Sequence, residues 1–188
     1  MGKYASRNEE GDHRVKEDDP KAIALLKEEH QIFRVLFDRA EEQEGKALRA
    51  TSDELCMRLA VHMTIEEEIL YPVGRKAGDA EEVNEGVVEH AAGKALMAEI
   101  EQMTGEEELF KAKVHVLGEQ TIHHIDEEDE DLFEEMKSAH AEGRIDLDAI
   151  GEQLRARQAE LYDRIAETAE MGPTDEAQAN EVESVEER

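Results

Sequence analysis

LCMRLAVHMTIEEEIL, residues 55–70, is the stretch on which the fold turns. Leu55, Leu59, His62, Glu66 and Leu70 follow one another at steps of four, three, four and four. Residues three or four apart share one face of an α-helix, and the apolar face is the one a helix buries. The run therefore predicts a helix that carries an imidazole and a carboxylate into a core.

Three other stretches repeat the anomaly. Upstream, Ile23, Leu26, His30, Phe33 and Phe37 form one stripe with a histidine in its middle. Downstream, Phe110, Val114, Leu117, Thr121, His124, Glu128 and Leu132 form another, ending in the same His-x-x-x-Glu spacing. Between them His90 shares a face with Gly86, Gly93, Met97 and Ile100. Four histidines and two glutamates thus point inward from four helices.

The surrounding sequence agrees with an all-α fold. Leu, Ala, Met, Glu, Lys and Arg dominate, and the only prolines are Pro20, Pro72 and Pro173, leaving long stretches free of the strongest helix breaker. Five helices are expected. The first runs over about 20–44, opening at Pro20 behind Asp18 and Asp19 and stopped by Gly45. The second opens at Thr51, whose spacing to Glu54 is that of a capping box, and ends near Pro72 and Gly74. The third covers about 79–103, the fourth about 106–137 and the fifth about 146–170. Helices of about 25 residues are roughly 35 Å long, which suits an up-down-up-down antiparallel four-helix bundle with an extra C-terminal helix. Residues 1–19 read as a disordered arm, 20–170 as the bundle with its fifth helix, and 171–188 as a disordered acidic tail.

The net charge is −28, from 50 acidic and 22 basic residues. Such a surface has no basic face for nucleic acid and is repelled by an anionic membrane; its ordinary consequence is solubility. The N-terminal stretch lacks the apolar run of a secretory signal, and no segment is apolar over a membrane's thickness. A cytoplasmic protein is expected, either monomer or dimer. The single cysteine, Cys56, beside Leu55 and Leu59, reads as a small buried hydrophobe.

One core histidine is ordinarily just hydrogen-bonded. Four, with two carboxylates converging on one interior, are costly unless paired or bound to metal. The arrangement is also duplicated. Glu29-His30 is followed by His62-x-x-x-Glu66 and then Tyr71; Glu89-His90 is followed by His124-x-x-x-Glu128 and then Phe133. The lone histidine precedes the paired one by 32 residues in the first half (30 to 62) and by 34 in the second (90 to 124). Two equivalent half-sites related by an approximate twofold axis build a two-metal centre. If Glu66 and Glu128 both bridge, the six side chains fill about eight of about twelve positions around two six-coordinate ions, and about four remain for a bridging oxygen and small ligands. That arrangement favours iron, with zinc or manganese as alternative occupants. Glu67, Glu68, Glu127 and Asp129 read as solvated or supporting groups, Tyr71 as packing at a helix end, and His13, His115 and His140 as surface residues.

In EEHQIFRVLF (28–37), HMTIEEEILYP (62–72) and HHIDEEDEDLF (123–133) the chain resembles the bacterial hemerythrin-like (HHE cation-binding) domains. The resemblance covers roughly residues 20–165. It implies a non-haem di-iron bundle, oxo- or hydroxo-bridged, with His30, His62, Glu66, His90, His124 and Glu128 as metal ligands. It also implies a small diatomic or peroxide ligand: O2, peroxide or nitric oxide. Oxygen-carrying members place a further histidine one turn after the third-helix histidine, where this chain has Lys94. That departure moves the expectation from reversible carriage towards sensing or turnover. His123 is a candidate substitute ligand, but helix geometry turns it about 100° from His124, off the inner face and towards solvent or a supporting place. Two other readings stay open: an iron- or redox-responsive regulator without turnover, and a metal-free acidic scaffold.

Overall fold

The computed structural model describes residues 2–4, 13–78 and 80–171, and among these every regular element is helical. The first rod is α1, Lys21–Glu41. The second is α2, Gly45–Ile65, which runs through a π-helical turn at Glu66–Leu70 into α3, Tyr71–Ala77. The third is α4, Ala80–Glu101. The fourth is α5, Phe110–Glu127, with a second π-helical turn at Glu128–Leu132 leading into α6, Phe133–Ala141. The fifth is α7, Leu147–Met171.

Several boundaries differ from the expected ones. Gly45, at φ 54°, opens α2 instead of closing α1. The Thr51–Glu54 pattern does not cap anything: Thr51 hydrogen-bonds to Gln43 and Ser52 to the Leu48 carbonyl, both inside a helix already under way. Pro72 does not end its rod, because it falls in the first turn of α3, where its missing N–H has little to lose. The fifth helix is capped by Asp146, whose Oδ1 accepts the N–H groups of Asp148 and Ala149 at 3.1 Å each.

The two π turns fall at equivalent places in the two halves of the chain. In each, the N–H five residues on returns to the carbonyl of the motif glutamate, from Tyr71 to Glu66 and from Phe133 to Glu128. The widened turn brings consecutive residues inward, so Leu70 with Tyr71, and Leu132 with Phe133, are all buried. Such turns inside α-helices are frequent at functional sites.

The apolar interior is divided in two. One cluster gathers Phe33, Phe37, Leu55, Leu59, Met97, Phe110 and Leu117; the other gathers Ile23, Leu26, Leu70, Val83, Leu132, Phe133 and Met136. On α1, His30 lies between Leu26 of one cluster and Phe33 of the other; on α4, His90 lies between Val83 and Met97. A polar layer therefore crosses the molecule between two hydrophobic cores. Helix α7 packs against α1 and α2. Its Gly151 lies so close to α1 that an added Cβ would meet the Ala22 backbone nitrogen at 2.5 Å.

The N-terminal arm is not wholly free of the bundle. Tyr4 is 1 % exposed against Phe37, and His13 is 4 % exposed. The acidic tail lies outside the described residues, apart from Met171 at the end of α7.

Candidate metal centre

All six residues expected to face inward do so. His30, His62, Glu66, His90, His124 and Glu128 are each no more than 5 % exposed. They form two groups in which the candidate ligand atoms lie within 4.8 Å of one another: His30, His62, Glu66 and Glu128 in one, Glu66, His90 and His124 in the other. The two histidine pairs are alike. The His30 and His62 rings meet edge to face at 5.1 Å and 73°, and the His90 and His124 rings at 4.7 Å and 73°.

The carboxylates join the two groups. Glu66 Oε1 is 3.2 Å from His62 Nε2, and its Oε2 is 3.4 Å from His90 Nε2. Glu128 Oε2 lies 3.5 Å from His30 Nε2 and 3.6 Å from His124 Nε2. Each glutamate thus faces one histidine from each half of the chain. His30 Nε2, His62 Nε2, both Glu66 oxygens and Glu128 Oε2 are buried without a hydrogen-bond partner. An unmet buried polar atom costs about 1–3 kcal/mol, so five facing one space describe a site shaped for cations. The donor set, imidazole nitrogen with bridging-capable carboxylate, suits iron, zinc or manganese.

Every histidine is fixed from behind by a carboxylate. His30 Nδ1 lies 3.0 Å from Asp129, His62 Nδ1 3.0 Å from Glu29, His90 Nδ1 3.0 Å from Glu67 and His124 Nδ1 2.8 Å from Glu89. This hydrogen bond directs the Nε2 lone pair at the centre and raises the ring's basicity as a ligand. The pattern obeys the duplication: the residue before each lone histidine holds the paired histidine of its own half, and the residue after each motif glutamate holds a lone histidine. The sequence marks Glu29 and Glu89 only as equivalent members of the repeat, and the structure shows what they hold. Their identical placement in the two halves was the signal that could have found them.

These supports are themselves anchored. Lys94, one turn after His90, grips both oxygens of Glu67 at 2.6 and 2.7 Å. Gln158, on α7, donates to Glu29 at 2.7 Å. His13, expected on the surface, is buried with Nδ1 3.1 Å from Asp129, and the Arg34 guanidinium lies 3.5 Å from the same carboxylate. His140 is half-buried, its Nδ1 accepting the Leu147 N–H at 3.3 Å, whereas His115 is exposed beside Glu41. His123 points outward with its side chain 65 % exposed.

Tyr71 does more than pack. Its hydroxyl is 3.1 Å from both Glu128 Oε1 and His90 Nε2. Gly86 makes room for it, since a Cβ there would lie 2.7 Å from the tyrosine oxygen.

The protons follow the crowding. Burial, then the neighbouring Glu128 charge, pushes Glu66 well above the usual carboxylate range. Glu128 is drawn below that range because His124 and His30 outweigh its burial. Burial alone would lower His30, but Asp129 and Glu128 raise it to about 9. Burial and repulsion from His124 depress His90 to about 4. Groups whose pKa values are forced apart in one confined space are the mark of a functional centre. Burial pushes the Cys56 thiol up to about 12, in keeping with a structural role.

A cavity of about 170 Å³ adjoins the second half-site. It is lined by His62, His90 and His124 on its inner side, by Leu59, Met63 and Gly93 along its walls, and by Glu89 and His123 towards the surface. The first half-site has Phe133 stacked on His30 at 5.6 Å instead.

Among the described residues no helix is long and apolar enough to cross a membrane. No curated protein and no solved structure matches the chain at a significant level. The Hemerythrin HHE cation binding domain matches residues 21–136, a span that contains all six inward-facing groups, and the chain belongs to that family.

Proposed function

We propose that this protein is a non-haem di-iron protein that binds or reacts with O2, peroxide or nitric oxide, built on four rods in up-down-up-down order with α7 added outside. The connection at 42–44 is only three residues long, which favours antiparallel neighbours. His30 and His62 would hold one ion, His90 and His124 the other, and Glu66 and Glu128 would bridge them. Glu66 carries the reading, because its two buried oxygens have no hydrogen-bond partner and face histidines of opposite half-sites. Paired irons supply the one- and two-electron exchange that amino-acid side chains cannot. The chain's own part is to orient the ligands through Asp129, Glu29, Glu67 and Glu89, to exclude water with Phe133, and to place a hydroxyl proton at Tyr71 beside Glu128.

A small ligand would approach on the His90–His124 side, where the apolar-walled cavity adjoins the rings. Lys94 leaves that half without a further imidazole, which favours turnover or sensing over reversible carriage. Metal analysis of freshly purified protein should give about two irons per chain, with near-ultraviolet absorption that reduction bleaches and peroxide consumption by the same sample. A colourless iron-loaded protein would defeat the proposal.

A second reading, an iron- or redox-responsive regulator without turnover, is favoured by one feature. The arm and α7 reach the centre through His13–Asp129 and Gln158–Glu29, so a change at the ions is felt by segments outside the family match. It predicts that chelation alters protease cleavage of the arm while no peroxide is consumed.

A further inference from the structure

We infer that Glu89, His123 and Glu127 form an outer cation site, at the surface side of the cavity, that takes up a divalent ion of the ferrous or zinc class and passes it to the buried pair. The uptake stands on its own geometry; the delivery rests on the dinuclear reading above.

Three observations carry it. First, the ligand atoms of these residues lie within 4.8 Å of one another, and His123 Nε2 is 3.2 Å from Glu127 Oε1. His123 and Glu127 repeat, one residue earlier on the same helix, the four-residue spacing of His124 and Glu128. One helix thus displays the same pair of donors outward and inward. Second, Glu127 Oε2 is buried and has no hydrogen-bond partner. The Glu127 side chain is 31 % exposed overall, so a cation reaching it from the surface would supply the partner that Oε2 lacks. Third, the site is joined to the centre. Glu89 belongs to the outer group and also holds His124 Nδ1 at 2.8 Å, and the cavity lined by Glu89 and His123 is lined at its inner side by His62, His90 and His124.

The inner groups are at most 5 % exposed, so an ion reaching them has to shed its water on the way. A partly exposed site with one imidazole and two carboxylates exchanges some of that water before the ion goes deeper. The chain's charge of −28 gathers cations at the surface, and a charged cleft focuses them.

The test uses the full chain. Zinc is titrated into the iron-loaded protein, and ferrous loading of metal-free protein is followed by stopped-flow absorbance. Wild type should bind about one further zinc, and His123→Ala and Glu127→Gln should each lose that equivalent while keeping the same final iron content. Their loading should slow by about tenfold or more, the scale of electrostatic focusing at a cleft. His62→Ala should lose inner iron yet keep the outer zinc, which separates this site from the dinuclear reading. Absence of the extra zinc from wild type would overturn the inference outright. Loading of His123→Ala at the wild-type rate would overturn the delivery role.

Discussion

Tyr71 and Phe133 occupy the same position in the two halves of the chain, and only Tyr71 brings a hydroxyl into the centre. Each begins the helix after a π turn and each stacks on a histidine, Tyr71 on His90 at 5.3 Å and Phe133 on His30 at 5.6 Å. The hydroxyl 3.1 Å from Glu128 breaks an otherwise close twofold symmetry. It occurs in the half-site both of whose rings border the cavity, where the other contributes only His62. The opposite half-site receives the arm, through His13, and α7, through Gln158. One half is braced and the other is approachable.

Gly86 and Tyr71 should therefore be coupled. A Cβ at 86 would sit 2.7 Å from the tyrosine oxygen and 3.2 Å from Cζ. Gly86→Ala should destabilise the protein by about 1–3 kcal/mol, as overpacking does. Tyr71→Phe in the same chain should recover part of that loss by removing the oxygen. Denaturant unfolding of the two single variants and the double variant gives the coupling; additive losses would show that the clash lies elsewhere.

The carboxylates behind the histidines should matter almost as much as the ligands. Glu29→Gln and Glu89→Gln each keep the shape but remove the charge that polarises His62 or His124. Each should weaken cation binding by about 10–100-fold. Gln158→Ala, which only loosens Glu29, should cost less than Glu29→Gln. Competition against a chelator of known affinity measures all three.

The helices and the inward-facing six could be read from the sequence because they follow from a 3.6-residue period and from polar residues interrupting an apolar stripe. The π turns could not. Glu66 and Glu128 look like ordinary i, i+4 partners, and no residue preference distinguishes a widened turn from a regular one. The spacing alone consequently puts Tyr71 at a helix end, although the turn rotates it inward. His13 was unreadable for another reason: it belongs to a polar, aperiodic stretch, and its burial depends on the distant Asp129 and on Arg34 beside it. Thr51 with Glu54 had the spacing of a cap but lay inside α2, since the local pattern does not reveal where the chain has already turned.

Cation loading should release protons. His30, raised to about 9, holds a proton near neutrality that a cation must displace, and burial beside Glu128 shifts Glu66 in the same direction. Loading at pH 7 should release at least about one proton per chain, from His30, and affinity should fall as pH falls. A titration in weak buffer with an indicator dye counts them. In metal-free protein His30 works in the opposite sense. Its folded pKa lies above the free imidazole value of about 6.5, so its contribution to stability is complete below that pH and disappears as pH rises through about 9. The stability gap between wild type and His30→Gln, both metal-free, should narrow between pH 6 and pH 9.5.

The arm should be a structural part of the centre. His13 lies 4 % exposed with Nδ1 3.1 Å from Asp129 Oδ2, and Asp129 Oδ1 lies 3.0 Å from His30 Nδ1. His30 and His13 outweigh burial and hold Asp129 down at about 2, so its charge is kept at any physiological pH. Removing His13 leaves that buried charge to Arg34 and His30. A hydrogen bond to a charged group is worth about 1.5–3 kcal/mol, so His13→Ala should lower the unfolding free energy by about that much. His115→Ala, at an exposed position, should change it by less than about 0.5 kcal/mol. Equal effects from the two histidines would mean that the arm rests on the bundle without bracing His30.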